Sequence, residues 1–164
     1  GEAALAVAAR RRRIRLTRGE LARCAQRLER PQPRIALGLA LRGVAHSAID
    51  ISDGLIADLD HILERSGVAA EIELAALPAS DIVRRYLDRV AACSALLAGG
   101  DDYELCFTAP RRARARIERI GRRARIALTR IGRIQAHAHR APRLIVRAVD
   151  GSALTPVRGG YEHF

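Results

Sequence analysis

The 164-residue sequence has no Lys, no Met and no Trp, and only three Tyr and two Phe. Without Lys, all 29 basic residues are Arg. Set beside so much Ala, this points to a GC-rich coding bias rather than selection for a bidentate phosphate binder. The net charge of +11 is discounted accordingly as a sign of nucleic-acid binding. Aromatics at 3% leave little for bases to stack on, so the sequence disfavours a non-enzymatic, Arg-rich nucleic-acid-binding module and no nucleic-acid partner is expected. Cys is scarce and odd in number: Cys24, Cys93 and Cys106 stand far apart with no CxxC pair. That fits buried, reduced thiols in a cytoplasmic protein better than a disulfide framework or a zinc site. No stretch approaches the roughly 20 apolar residues of a membrane span, so no membrane partner is expected. "GEAALAVAARRRR" carries its charges after its apolar run, the reverse of a secretory signal. P-loop and Rossmann patterns are absent, and His137, His139 and His163 lack partners for a metal site or a Ser-His-Asp triad.

What is present is a 49% hydrophobic chain, enough for one folded domain with a single core. Charge is unevenly spread. Residues 50 to 104 hold 12 acids against 4 Arg, a balance of −8, and the remainder stands at +19. An acidic centre in a basic chain suggests a cation site, and the basic surround would concentrate phosphorylated ligands.

The patterning predicts a short apolar helix over 1–10. Thr17 and Glu20 have capping-box spacing, with Leu21, Cys24 and Leu28 on one helical face and Pro31 and Pro33 ending the segment. A further apolar helix is expected over 34–43, a strand over 45–51, and a helix after Gly54 on the spacing of Leu55, Ile56, Leu59, Ile62 and Leu63. "AAEIELAAL" alternates as a strand, Ser80 caps a helix through about Leu87, and "YELCF" predicts a half-buried strand with Tyr103, Leu105 and Phe107 on one face. A helix with Ala113, Ile117 and Ile120 inward and strands in 125–134 and 143–149 complete the pattern. The expected class is α+β: an α/β sandwich with a mostly antiparallel sheet and helices packed on it. Residues 1–164 form a single domain, 1–43 a helical lead-in and 44–164 an α+β core.

Three clusters carry candidate chemistry. In "AIDISDGLIADLDHI", Asp50 ends a strand and Asp53 starts a helix, so two carboxylates three apart can converge. Hard cations such as Mg²⁺ use one or two carboxylates together with water and substrate phosphates. Ser52 adds a hydroxyl, and the helix N-terminal amides favour an anion. A plain helix cap by Ser52 or Asp53 remains open. Asp58, Asp60, His61 and Glu64 are read as a solvent face, the acids suiting the helix N-terminal half. In "AGGDDYELCF", Gly99 and Gly100 permit a tight turn with Asp101 and Asp102 at a strand mouth, where a carboxylate can accept from an amine or hold a cation. An ordinary turn is the alternative. In "GGYEHF", Tyr161 can fold over a ligand ring or pin the terminus.

Taken with "RPQPR" at 30–34, "LP" at 77–78 and "IGRI" at 131–134, these clusters resemble, in order, the C-terminal half of the thiamine-monophosphate kinase family. That family lies within the aminoimidazole ribonucleotide synthetase superfamily, whose C-terminal domain has the sandwich architecture expected above. The resemblance implies transfer of the γ-phosphate of ATP to thiamine monophosphate, giving thiamine diphosphate with the help of Mg²⁺. By motif, Asp50 and Asp53 are implied Mg²⁺ ligands, and Ser52 an ATP contact. Asp101, at a place often Glu in the family, and Tyr161 are implied contacts to thiamine phosphate. The family's N-terminal half, with most of the nucleotide site and the main homodimer interface, has no counterpart in this sequence. The expectation is a C-terminal domain without activity of its own, with a partial, non-functional gene product as the alternative.

Overall fold

A computed structural model describes residues 1–138, 141 and 143–154. Three helices lead: α1 (Glu2–Arg10), α2 (Arg18–Glu29) and α3 (Ile35–Leu41). Thr17 caps α2 with both halves of the capping box formed, and the helix stops before Pro31. Glu20 does more than cap. Its carboxylate accepts from the Thr17 amide and hydroxyl, from Tyr86 Oη at 2.9 Å and from Arg85 at 2.6 Å. It thereby ties α2 to α5 (Asp81–Arg85), which Ser80 caps as expected. The Thr17 amide and hydroxyl lead in holding the Glu20 carboxyl below its ordinary 4.5. A carboxyl depressed in the folded state adds stability above its unfolded value and loses it as pH falls through the folded one. The stability gap between the wild-type chain and Glu20→Gln should therefore be open at neutral pH and close on acidification below about pH 4, in urea melts compared across pH.

The next elements are β1 (Ser47–Asp50), α4 (Leu55–Ser66) and β2 (Val68–Glu73), followed after α5 by α6 (Val90–Ala98) and β3 (Leu105–Thr108). Then come α7 (Arg114–Ala124), β4 (Gly132–Ala136), β5 (Leu144–Arg147) and β6 (Ala153–Leu154). The class is α+β, as the patterning predicts, with the strands in two sheets among the described residues. β1 pairs antiparallel with β3, and the larger sheet runs β4-β2-β5-β6, antiparallel except for the β2–β5 pair.

One core packs Leu55, Leu59, Ile62 and Leu63 of α4 against Ile72, Val146 and Cys106. Side chains of this kind contribute roughly 1.5–3 kcal/mol each when fully buried. A second cluster joins Leu5 and Cys24 to Ile82, Val83, Ala92 and Ala95. Cys24 and Cys106 are buried, and burial pushes each thiol up to about 11.

Three expectations need correction. α6 has no counterpart in the sequence reading, because "VAACSALLA" is apolar or small throughout and shows no helical stripe. Tyr103 lies outside β3 with φ +50°, and the buried side of that strand carries Cys106 rather than Leu105 and Phe107. The run 125–134 forms a ladder only from Gly132, where it meets β2.

Candidate functional site

The strand pair β1–β3 brings two of the acidic clusters together. Asp50 stands opposite Leu105 at the end of the ladder, so the chain leaving β1 and the chain entering β3 run side by side. Their loops stay bonded past the strands: the Ile51 amide donates to the Glu104 carbonyl, Tyr103 to Ile51, and Asp101 to Ser52, at 2.8, 2.9 and 3.0 Å. Asp50, Ser52, Asp53 and Asp101 therefore belong to one backbone-bonded pair of loops. Asp50 is exposed, while Ser52, Asp53 and Asp101 are half-buried. Tyr161 lies outside the described residues.

Two glycines make the approach possible. A Cβ on Gly100 would fall 2.2 Å from the Ser52 carbonyl oxygen, and one on Gly54 would lie 2.7 to 2.9 Å from the Ala98 backbone. Gly54 also sits at φ +119°, which other residues avoid. Strain is concentrated here too, since Asp101 (φ +64°) and Tyr103 (φ +50°) are both left-handed. Asp tolerates that region, but Tyr adopts it rarely, and such outliers gather at ligand-binding sites. Arg34, from the "RPQPR" stretch, forks onto Glu104 through Nε at 2.8 Å and Nη2 at 2.6 Å, fastening the start of α3 to the second loop. Asp102 accepts from the Gly1 nitrogen at the start of α1.

Asp58 overturns its sequence reading. It is 2% exposed, not on a solvent face. One carboxylate oxygen accepts from the amides of Ser52, Asp53 and Gly54 at 3.0, 3.1 and 3.2 Å. Asp58 thus braces, from inside the helix, the loop that leads into α4, whose N-cap position is Gly54. The signal was in the spacing: Asp58 falls three after Leu55 and four before Ile62, on the buried stripe, whereas Asp60, His61 and Glu64 are exposed. Burial raises the Asp58 carboxyl against the pull of the three amides. The amides of Ser52, Asp53 and Gly54 already have an acceptor in Asp58, so a phosphate arriving at this loop competes with that carboxylate for them.

Among the described residues there is no group of three or more His, Cys, Asp or Glu side chains placed to hold a metal ion. The donor set at Asp50, Ser52 and Asp53 is all oxygen, which suits a hard cation held by two carboxylates and completed by water and phosphate oxygens. Among the described residues no helix is long and apolar enough to cross a membrane.

No family model matches the chain. It is 45% identical over 140 residues to the thiamine-monophosphate kinase of Haemophilus influenzae, a match covering 85% of this chain and 42% of that protein. The crystal structure of thiamine-monophosphate kinase from Stenotrophomonas maltophilia K279a is similar with a TM-score of 0.80 at 40% identity, over 94% of this chain and 48% of that one. AaThiL complexed with AMPPCP and TMP is similar with a TM-score of 0.69 at 31% identity, over 99% of this chain and 47% of that one. By sequence and by fold, the chain belongs to the thiamine-monophosphate kinase family and spans a little under half the length of the relatives it matches.

Proposed function

We propose that this chain supplies part of the active site of a cytoplasmic, ATP-dependent kinase that phosphorylates thiamine monophosphate to thiamine diphosphate. The observation that carries the reading is the backbone-bonded loop pair, which sets Asp50, Ser52 and Asp53 beside Asp101. The family supports it, as does the AaThiL complex, whose AMPPCP has the form of an ATP that cannot release its terminal phosphate.

In the reaction the bond from the γ-phosphorus of ATP to its bridging oxygen breaks. A phosphate oxygen of thiamine monophosphate forms the new bond, and ADP leaves. No covalent enzyme intermediate is needed, so positioning and neutralisation of phosphate charge do the catalytic work. Asp50 and Asp53 would hold Mg²⁺, which when bound supplies positive charge to the phosphate oxygens. The Ser52 hydroxyl donates to a nucleotide phosphate. Asp101 offers its carboxylate to the amine-bearing, cationic thiamine moiety, and the family motif assigns Tyr161 to the same substrate. The other half of the active site, and the homodimer contact, come from the length of family chain that this sequence does not span.

The test is to join this chain to the part of the Haemophilus influenzae kinase that it does not match. ATP-dependent thiamine diphosphate formation is expected from the joined protein and none from the 164-residue chain alone. Turnover by the chain alone would refute the divided site, and an inactive but folded joined protein would refute the assignment.

A further inference from the structure

We infer that Asp58 is a positioning residue, whose buried carboxylate fixes the Ser52–Gly54 loop so that Asp50 and Asp53 bind a divalent cation; this rests on the cation reading above. Three consecutive amides leading into α4, the last that of its N-cap Gly54, converge on a single Asp58 oxygen. Proteins commonly use that arrangement to hold a phosphate or other external anion. Here the anion is built in, from the first turn of the same helix.

The loop is held from three sides. Asp58 holds its amides, the Ala98 backbone closes against Gly54, and the Ser52 carbonyl accepts from Asp101. Such a loop has its geometry set before a ligand arrives, and a ligand need not supply the free energy of ordering it.

Charge points the same way. Burying a carboxylate is unfavourable unless something compensates it. This chain has 29 Arg, yet among the described residues none pairs with Asp58. A cap alone needs only a hydroxyl or an amide oxygen. A full charge placed under a loop that already bears Asp53 makes its surface hostile to a bare anion and hospitable to a cation. Asp60, two residues on, is exposed and takes no part, which makes it the natural control.

The experiment uses the ¹⁵N-labelled 164-residue chain with Mn²⁺ as the probe. It follows amide exchange at residues 52–54 and paramagnetic broadening of the signals of residues 50–54. In Asp58→Ala, exchange at the three amides should accelerate about tenfold or more, and the Mn²⁺ affinity should fall roughly 10- to 100-fold. Asp58→Asn keeps an oxygen acceptor without the charge, and should return exchange to within about threefold of wild type while leaving the Mn²⁺ affinity roughly three- to tenfold below it. It also keeps the question answerable should the Ala variant fail to fold. Asp60→Asn should change neither. Accelerated exchange with an Mn²⁺ affinity equal to that of Asp60→Asn would reduce Asp58 to a cap and overturn the inference. A wild-type chain that Mn²⁺ does not broaden at all would remove the cation site, and the positioning role with it. That outcome differs from the first because the exchange rates would still show the three hydrogen bonds.

Discussion

Gly100→Ala should lower the melting temperature of the chain by roughly 5–10 °C, corresponding to about 2–4 kcal/mol. The reason is steric and local. The new methyl would stand 2.2 Å from the Ser52 carbonyl oxygen, and that atom is backbone, with no rotamer to move into. Relief requires the two loops to part, which breaks the bond from the Asp101 amide to Ser52 and pulls against the neighbouring bonds at Tyr103 and Ile51. The damage thus falls on the feature that assembles the site, and a variant that still folds should also bind Mn²⁺ more weakly. Gly19→Ala is the contrasting substitution. It lies within α2 with nothing within 4 Å of its Cβ, so the methyl meets open space and removes backbone freedom from the unfolded chain. Its melting temperature should hold or rise. Calorimetry on both variants decides the matter: an unchanged melting point for Gly100→Ala would mean that the loops do not meet backbone to backbone.

How much of this was legible in the sequence depended on whether the deciding interaction was local. Thr17 with Glu20, and Ser80 with Val83, are bonds across three residues, and both formed where the sequence places them. The stripe from Leu55 to Leu63 gave α4 for the same reason. α6 offered no such pattern, because a helix apolar on all sides has no periodicity to read. The split into two sheets and the parallel β2–β5 pair depend on contacts far apart in the chain, which spacing does not encode. Asp58 departs from its expected solvent face for a different cause. A carboxylate after a run of Asp looks like solvent face, and only its position on the Leu55–Ile62 stripe betrays its burial. At the site itself, the motifs named Asp50, Ser52, Asp53 and Asp101. Their coming together needed the long-range pairing of Ile49 with Cys106 and its neighbours.

Asp50→Asn and Asp53→Asn, each made in the joined two-part enzyme, should lower kcat/KM by about 100- to 1,000-fold. Each change removes one unit of negative charge while keeping nearly the same shape, so the loss reports on charge rather than packing. Asp50 is exposed at the end of β1, and its substitution should leave the melting temperature within about 2 °C of the parent. The deficit should shrink as Mg²⁺ is raised, because a weakened site can still be filled by mass action. That dependence separates a lost cation ligand from a lost contact to nucleotide or thiamine phosphate, which extra Mg²⁺ would not restore. The two variants combined should cost far less than the product of the single effects, since both act on one bound ion. Asp60→Asn, on the exposed side of α4, should retain full activity. If kcat/KM and its Mg²⁺ dependence survive both single changes, the cation belongs elsewhere. The oxygen-only loop between β1 and α4 would then be left with a structural role.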